Sequence, residues 1–300
     1  MKKSPSESKF LRQLNISLSM NNKDLDENWQ NWLQENLGRN CDPCELLERL
    51  RNNGFSEHSI KMSMGEDYPP EWGKLDNKID YERFAKAPLT RTDHNLNALK
   101  VNTDKLQIFV IDDFLSKIEC EKVISTVTPH LRPSTVTREN EDKAYRTSAT
   151  SDMALMTDPV AKNTVDRLNH KIAATLGINV SYSEGIQAQR YLVGQEFKKH
   201  TDYFQPGTAE YKKYAGKRGQ RTWTFMVYLN NVEQGGETKF FAIDKTFQPL
   251  QGRAVVWNSL YPDGKVNCNT LHAGLPVEKG EKIIITKWFR VKGEGSIYYK

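Results

Sequence analysis

The stretch Tyr191-Leu-Val-Gly-Gln-Glu-Phe-Lys-Lys-His200-Thr-Asp202, with its distant partner Leu271-His272-Ala-Gly-Leu-Pro-Val-Glu-Lys-Gly-Glu-Lys282, decides how the chain is read. His200 and Asp202 stand at i and i+2, and on an extended backbone that spacing sends both side chains to one face. His272 lies seventy-two positions after His200, so the fold has to bring it back. Two imidazoles and one carboxylate form a ligand set that holds Fe(II) on one side and leaves the opposite positions open for oxygen chemistry. Lys282, ten positions beyond His272, is a cation available to anchor an anionic co-substrate. A lone His-x-Asp arises by chance in many soluble chains, whereas this ordered set of four residues is far less common.

Around these residues, short apolar runs are punctuated by Gly, Asn and Pro turns: 185–191, 222–229, 238–241, 253–257, 271–277 and 282–291. Many such strands predict a double-sheet jelly roll, whose open mouth is a natural place for a metal. If 282–290 is a strand, then Lys282, Ile284, Thr286, Trp288 and Arg290 share one face, and Ile283, Ile285, Lys287 and Phe289 share the other. A Lys282 ammonium facing the barrel interior would require an anion.

The order His-x-Asp, Leu-His-Ala-Gly, then a lysine ten positions on resembles the 2-oxoglutarate- and Fe(II)-dependent oxygenases, most closely their prolyl 4-hydroxylase branch; it covers roughly residues 105 to 292. The resemblance implies an α+β chain: a double-stranded β-helix (jelly roll) core with flanking helices, preceded here by a small helical N-terminal unit. It implies Fe(II) held by His200, Asp202 and His272, with 2-oxoglutarate and O2 as co-substrates and ascorbate as an accessory reductant. Lys282 would hold the far carboxylate of 2-oxoglutarate, completed by a hydroxyl from Tyr191 or Thr224, with Thr222 and Thr286 as alternatives. The expected reaction is hydroxylation coupled to decarboxylation of 2-oxoglutarate to succinate, on a peptide or protein substrate and at a prolyl residue. Arg146 and Ser148, at the end of the polar loop 134–148, and Glu184, Arg221 and Trp288 match positions that contact the peptide in that branch. The Tyr-, Lys- and Arg-rich insert 203–219 and Trp257 depart from its pattern. A free amino acid, another peptidyl residue or a small metabolite is the rival substrate. A nucleic-acid demethylating oxygenase is disfavoured, because its relatives carry an Arg-rich signature where Lys282 stands, and a non-catalytic use of the fold is disfavoured by the complete ligand set.

Upstream, residues 1–22 are polar without a period and predict a frayed tail. Leu25, Trp29, Trp32, Leu33 and Leu37 recur at helical spacing, with Gly38 as C-cap; Asp42-Pro43 opens a second helix and Ser56 a third, to Met64. This unit, 23–64, would pack on the catalytic domain or mediate self-association. A linker at 65–104 with a short helix near 79–85 leads into the catalytic domain at 105–292, which opens with a strand at Ile108 and a helix capped by Ser116. An amphipathic helix spans 158–177, and 293–300 reads as a tail.

Composition sets outer bounds. The 300 residues carry 43 Lys+Arg against 38 Asp+Glu, a net charge of +5 that points to a solvated surface more than to a polyanionic partner. Met1-Lys-Lys-Ser-Pro lacks an apolar signal run, no eighteen-residue apolar run exists, and four scattered cysteines are too few for a disulfide framework, so a cytoplasmic, non-membrane location is expected. Cys41-Asp-Pro-Cys44 has no second pair at zinc-ligand spacing and no βαβ setting for redox work, so a structural role is expected.

Overall fold

The computed structural model describes residues 23–39, 41, 43–68, 79–91, 97–134, 146–206 and 208–299. The expected tail 1–22, the cap Asp42, the Cys44 side chain, linker positions 69–78 and 92–96, and loop positions 135–145 lie outside them. The chain divides into two compact units, Met1–Gly73 and Lys74–Lys300.

Among the described residues, the first unit holds three α-helices: α1 (Glu27–Gly38), α2 (Pro43–Asn52) and α3 (Glu57–Met64). Their leucine stripes bury Leu33, Leu47, Leu50, Phe55 and Ile60 together. Asp26 and Ser56 cap the first and third helices by accepting from Trp29 and Ser59 backbone N–H groups. Gly38 proves to be the last helical residue instead of the cap, and the Arg39 N–H closes the helix on Glu35 and Leu37.

The second unit holds the sheets. Part of the expected linker belongs to it: Phe84 and Ala85 of the short helix α4 (Glu82–Ala85) are buried, and Trp223 donates its indole N–H to the Phe84 carbonyl at 2.8 Å. The sheet also starts earlier than expected, since β1 (Ala98–Lys100) pairs antiparallel with β2 (Ile108–Ile111). A three-residue edge strand with Leu99 exposed has no apolar alternation to betray it.

Helix α5 (Lys117–Val127) starts on a capping box of Ser116 and Glu119. Strand β3 (Arg132–Pro133) pairs with β4 (Ala149–Asp152), and α6 (Pro159–Leu176) runs from an Asp158 cap to Gly177. Gly177 has φ +80°, and a Cβ there would lie 2.2 Å from Pro88 Cγ, so both backbone and space demand glycine.

The core strands are β5 (Gln187–Tyr191), β6 (Phe197–His200), β7 (Arg221–Tyr228), β8 (Gln234–Gly235), β9 (Thr238–Phe240), β10 (Lys245–Phe247), β11 (Ala254–Asn258), β12 (His272–Gly274), β13 (Val277–Lys279) and β14 (Lys282–Arg290). One sheet runs β1-β2-β11-β7-β14-β5-β4-β3 and the facing sheet β10-β9-β12-β6. The chain passes back and forth between a quartet β5-β14-β7-β11 and a quartet β6-β12-β9-β10, the winding of a jelly roll. Between them lie Tyr191, Met226, Tyr228, Phe240, Val255, Trp257 and Ile284. The insert contributes α7 (Ala209–Ala215), seven residues opened by a Thr208 cap. The C-terminal stretch does not trail away: Asn179 N–H donates to Ile297 O at 2.7 Å and Tyr299 N–H to Gly177 O at 3.0 Å.

Candidate active site

Strand β6 ends at His200, and Asp202 sits in the bend beyond it, so the i, i+2 geometry of a continuous strand is not what brings them together. They converge nonetheless, with His200 Nε2 3.8 Å from Asp202 Oδ1. His272 opens β12 and is the direct register partner of His200. One ligand atom from each of the three residues lies within 4.8 Å of the other two.

The donor chemistry suits a divalent iron. His200 Nδ1 lies 2.7 Å from the Lys198 carbonyl and His272 Nδ1 lies 2.8 Å from the Thr270 carbonyl. A carbonyl only accepts, so each Nδ1 carries the proton and each Nε2 keeps its lone pair for a metal. Burial, and then the neighbouring His272, hold the His200 imidazole neutral, with its pKa pushed down to about 3. Burial opposes ionisation of Asp202, but the two imidazoles, Arg221 and the Thr224 hydroxyl outweigh it and keep the carboxyl below its usual range. The Thr224 hydroxyl donates to Asp202 Oδ2 at 2.6 Å. Thr224 is expected from the sequence to meet the co-substrate; here its proton is engaged by the carboxylate, and Thr224 is not among the residues lining the cavity. The alternative Thr222 is fully buried and does not line the cavity.

Lys282, Ile284, Thr286 and Trp288 line the cavity that holds the triad, as the parity of β14 requires. Arg290 leaves that series because a register shift falls between Trp288 and Arg290. On the outer face, Lys287 donates to Asn169 of α6 at 2.7 Å. Lys282 is 2% exposed, and its ammonium sits 4.4 Å above the Tyr191 ring. Burial pulls its pKa down to about 7, opposed only by the charge of Glu237. A buried ammonium with no carboxylate paired to it among the described residues is uncompensated, and an anion in the cavity would supply its counter-charge. Gly274 leaves the room: a Cβ there would stand 3.1 Å from Lys282 Nζ.

Tyr191 borders the same cavity, but its hydroxyl donates to Gln189 Oε1 at 2.7 Å, and Gln189 Nε2 donates to Thr286 at 3.2 Å. Thr238, missed in the sequence, also lines the cavity, opposite Gly274 in register. Tyr228 donates to the Thr238 oxygen at 2.6 Å, and the threonine's own proton is directed at Met226 Sδ, a weak acceptor 3.9 Å away that a stronger one can displace. Its signal would have been the Gly235-Gly236-Glu237-Thr238 run, whose glycines at φ +76° and +75° turn the chain into β9.

The peptide-side candidates fall into two groups. Glu184 accepts from Arg221 Nε at 2.7 Å and Nη2 at 2.9 Å, and from Arg290 Nη1 at 2.7 Å. Arg221 also donates to the Asp202 carbonyl at 3.2 Å, and its guanidinium lies 4.1 Å over the Trp288 ring. Glu184 and Arg221 thus form a buttress behind the metal-binding bend, and Glu184 has both oxygens engaged. The Trp288 indole N–H is buried with no acceptor among the described residues. Arg146 donates to Ser148 at 3.1 Å and to Gln187 at 2.9 Å, and the Ser148 hydroxyl also meets that of Ser134 at 2.7 Å. Ser148 is therefore a support for Arg146, with only 4% of its surface exposed.

The buttress has a pH signature. Burial disfavours the Glu184 carboxylate, but Arg221 and then Arg290 more than offset this and hold its pKa down to about 2. A folded-state pKa below the ordinary 4.5 gives stability that is present above about pH 4.5 and lost as pH falls toward 2, by roughly 3 kcal/mol. Glu184→Gln is expected to flatten the loss of urea stability between pH 5 and 3 while lowering stability at pH 7. An unchanged acid profile would show that the carboxylate is not paired in solution.

Residues 186–290 match the sequence model of the 2OG-Fe(II) oxygenase superfamily. The chain is 31% identical over 199 residues to prolyl 4-hydroxylase 13 of Arabidopsis thaliana, covering 61% of this chain and 71% of that one. It is 31% identical over 195 residues to the human prolyl 4-hydroxylase subunit alpha-1, covering 64% of this chain and 36% of the subunit. The chain belongs to the 2-oxoglutarate- and Fe(II)-dependent oxygenases, in their prolyl 4-hydroxylase branch. Among solved structures, the viral collagen prolyl hydroxylase of Paramecium bursaria chlorella virus 1, a 2-oxoglutarate complex, aligns with a TM-score of 0.47 and 29% identity, over 61% of this chain and 95% of that one. The oxygenase uses Fe(II), 2-oxoglutarate and O2, and the His200–Asp202–His272 cluster has the donors to hold the metal.

Proposed function

We propose that this oxygenase hydroxylates a prolyl residue within a peptide or protein, one oxygen atom of O2 entering the product and the other entering succinate as 2-oxoglutarate loses CO2. The supporting observation is the meeting of His200, Asp202 and His272 in a cavity that is also lined by the buried Lys282, which has no carboxylate paired to it among the described residues. His200 and His272 would ligate iron through Nε2, and Asp202 through the carboxylate that Thr224 orients. Lys282 and the Thr238 hydroxyl would hold the distal carboxylate of 2-oxoglutarate, so that its keto acid end reaches the metal. The bound metal, with that co-substrate and O2, supplies the oxidant that replaces C–H by C–OH. The apolar walls of Phe197, Met226, Trp257 and Ile284 exclude water from this chemistry. Arg146 and the Trp288 side chain, which lines the cavity and whose indole N–H has no acceptor among the described residues, would orient the peptide, with Arg221 and Glu184 fixing Trp288 from behind.

Ascorbate as an external reductant, a cytoplasmic location and self-association through the helical unit belong to the same proposal and rest on the sequence alone. The test is incubation with a panel of proline-containing peptides, Fe(II) and 2-oxoglutarate. The expected result is a mass gain of one oxygen at proline, stoichiometric succinate, and loss of both in His200→Ala. Oxygen incorporation into a free amino acid or metabolite, with every peptide untouched, would replace the substrate assignment and keep the enzyme class.

A further inference from the structure

Two phenylalanines outside the ligand set lie nearly flat against the metal-site imidazoles. Phe197 covers His200 with ring centroids 3.5 Å apart and planes at 17°, and Phe240 covers His272 at 5.1 Å and 19°. Phe240 is sealed in the core, wedged at 80° against Trp257. Phe197 is different, being only half-buried on strand β6. The Arg146 guanidinium lies 5.0 Å from its ring centroid. His200 stacks on Phe197, and the guanidinium centre lies within cation–π range of the same ring.

Arg146 is fixed in turn. Its Nε and Nη2 donate to Ser148 and Gln187, and its backbone bridges antiparallel to Phe197. The next residue is tied to the same strand, with Thr147 N–H donating to Glu196 O at 3.2 Å and Glu196 N–H to Thr147 Oγ1 at 3.0 Å. A guanidinium, a benzene ring and an imidazole therefore form one series of contacts, the Arg146–Phe197–His200 column, that ends at a metal-site nitrogen. The Nδ1–H bond to Lys198 anchors the imidazole at a single atom, about which the ring can still rock. Stacking against Phe197 removes that freedom, and productive ligand geometry requires the lone pair within about 10–20° of the metal direction. The cation strengthens the arrangement, because it favours the negative face of the benzene ring.

We propose that Phe197 is a positioning residue: the Arg146–Phe197–His200 column sets the tilt of the His200 imidazole, so that a perturbation at Arg146 is felt in the ligand field of the metal. This rests on His200 being a ligand, as read under Proposed function. It assigns Phe197 a task distinct from lining the cavity and gives Arg146 a physical connection to the centre.

The test uses the full chain loaded with Co(II), whose visible absorption reports ligand geometry, with no peptide and no turnover. Wild type, Phe197→Leu, Phe197→Tyr, Arg146→Met and His200→Ala are compared. Phe197→Leu is expected to change the Co(II) band envelope and weaken Co(II) binding about threefold to tenfold, the loss of one aromatic stack. Arg146→Met should change the envelope in the same direction by less, and Phe197→Tyr, which keeps the stack, should restore the wild-type spectrum. Identical spectra for wild type, Phe197→Leu and Arg146→Met would overturn the proposal. If Phe197→Leu fails to fold by circular dichroism, Arg146→Met decides alone, a changed envelope supporting the column and an unchanged one overturning it. A His200→Ala protein with the wild-type spectrum would instead overturn the ligand assignment itself, and the positioning role with it.

Discussion

Asp202→Ala is expected to lose Fe(II) on dialysis, binding it more than about 100-fold more weakly than wild type, and to show no 2-oxoglutarate turnover. Loss of a mere outer partner of a metal ligand costs 10–100-fold, so loss of the single anionic donor should exceed that. The variant should still fold. The Arg221 contact to residue 202 is made to its backbone carbonyl, which alanine retains, and the Glu184 buttress is untouched. Thr224 loses its acceptor, which is a local cost. Metal content after dialysis, measured beside the thermal midpoint, checks this result. Equal iron in wild type and variant would remove Asp202 from the ligand set.

Lys282→Met separates the co-substrate from the metal. Removing the cation leaves the distal carboxylate buried without its partner, a penalty of about 3–5 kcal/mol, or roughly 100- to 4,000-fold in the dissociation constant of 2-oxoglutarate. Iron retention is expected to stay at the wild-type level, since the triad does not depend on Lys282. The wild-type protein carries a pH signature of the same contact. Burial brings the Lys282 pKa to about 7 before an anion arrives, and an anion favours the charged amine, so its pKa rises on binding. Affinity for 2-oxoglutarate is therefore expected to be flat below about pH 7 and to fall as pH climbs above it, with proton uptake on binding in that window. Calorimetry in buffers of different ionisation heat reads the uptake directly. A proton-neutral binding event at pH 8 would place the distal carboxylate elsewhere.

Much of this centre was legible in the chain, because residue type and order carry it. His200, Asp202, His272 and Lys282 come in a sequence that few other chemistries need, and the two-residue period of β14 told which of its side chains look inward. What escaped detection depends on directions of single hydrogen bonds. Nothing in Thr-Trp-Thr-Phe says that the Thr224 hydroxyl turns to Asp202, while Thr238, fourteen residues on, meets the anion pocket from the facing sheet. Glu184 and Arg290 are separated by 106 positions, and their pairing depends on a bulge that periodicity cannot register. The expected His-x-Asp strand failed for a similar reason: β6 stops at His200, and the bend after it is shaped by Gln220 and Arg221 from another strand. The edge strand β1 was invisible because its burial is too slight to impose alternation.

The pairing of His200 with His272 across β6 and β12 has a kinetic consequence. Those two strands are separated in the chain by β7, β9 and β11, so their pairing closes a long loop and is expected to form late. Contacts of such long sequence separation are closed late, after the entropy of the intervening loop has been spent. Iron is therefore expected to arrive at a finished barrel, and metal-free protein to show the same cooperative thermal unfolding as metal-loaded protein. On that expectation, protein made without iron is folded and catalytically silent, and adding the metal back restores turnover.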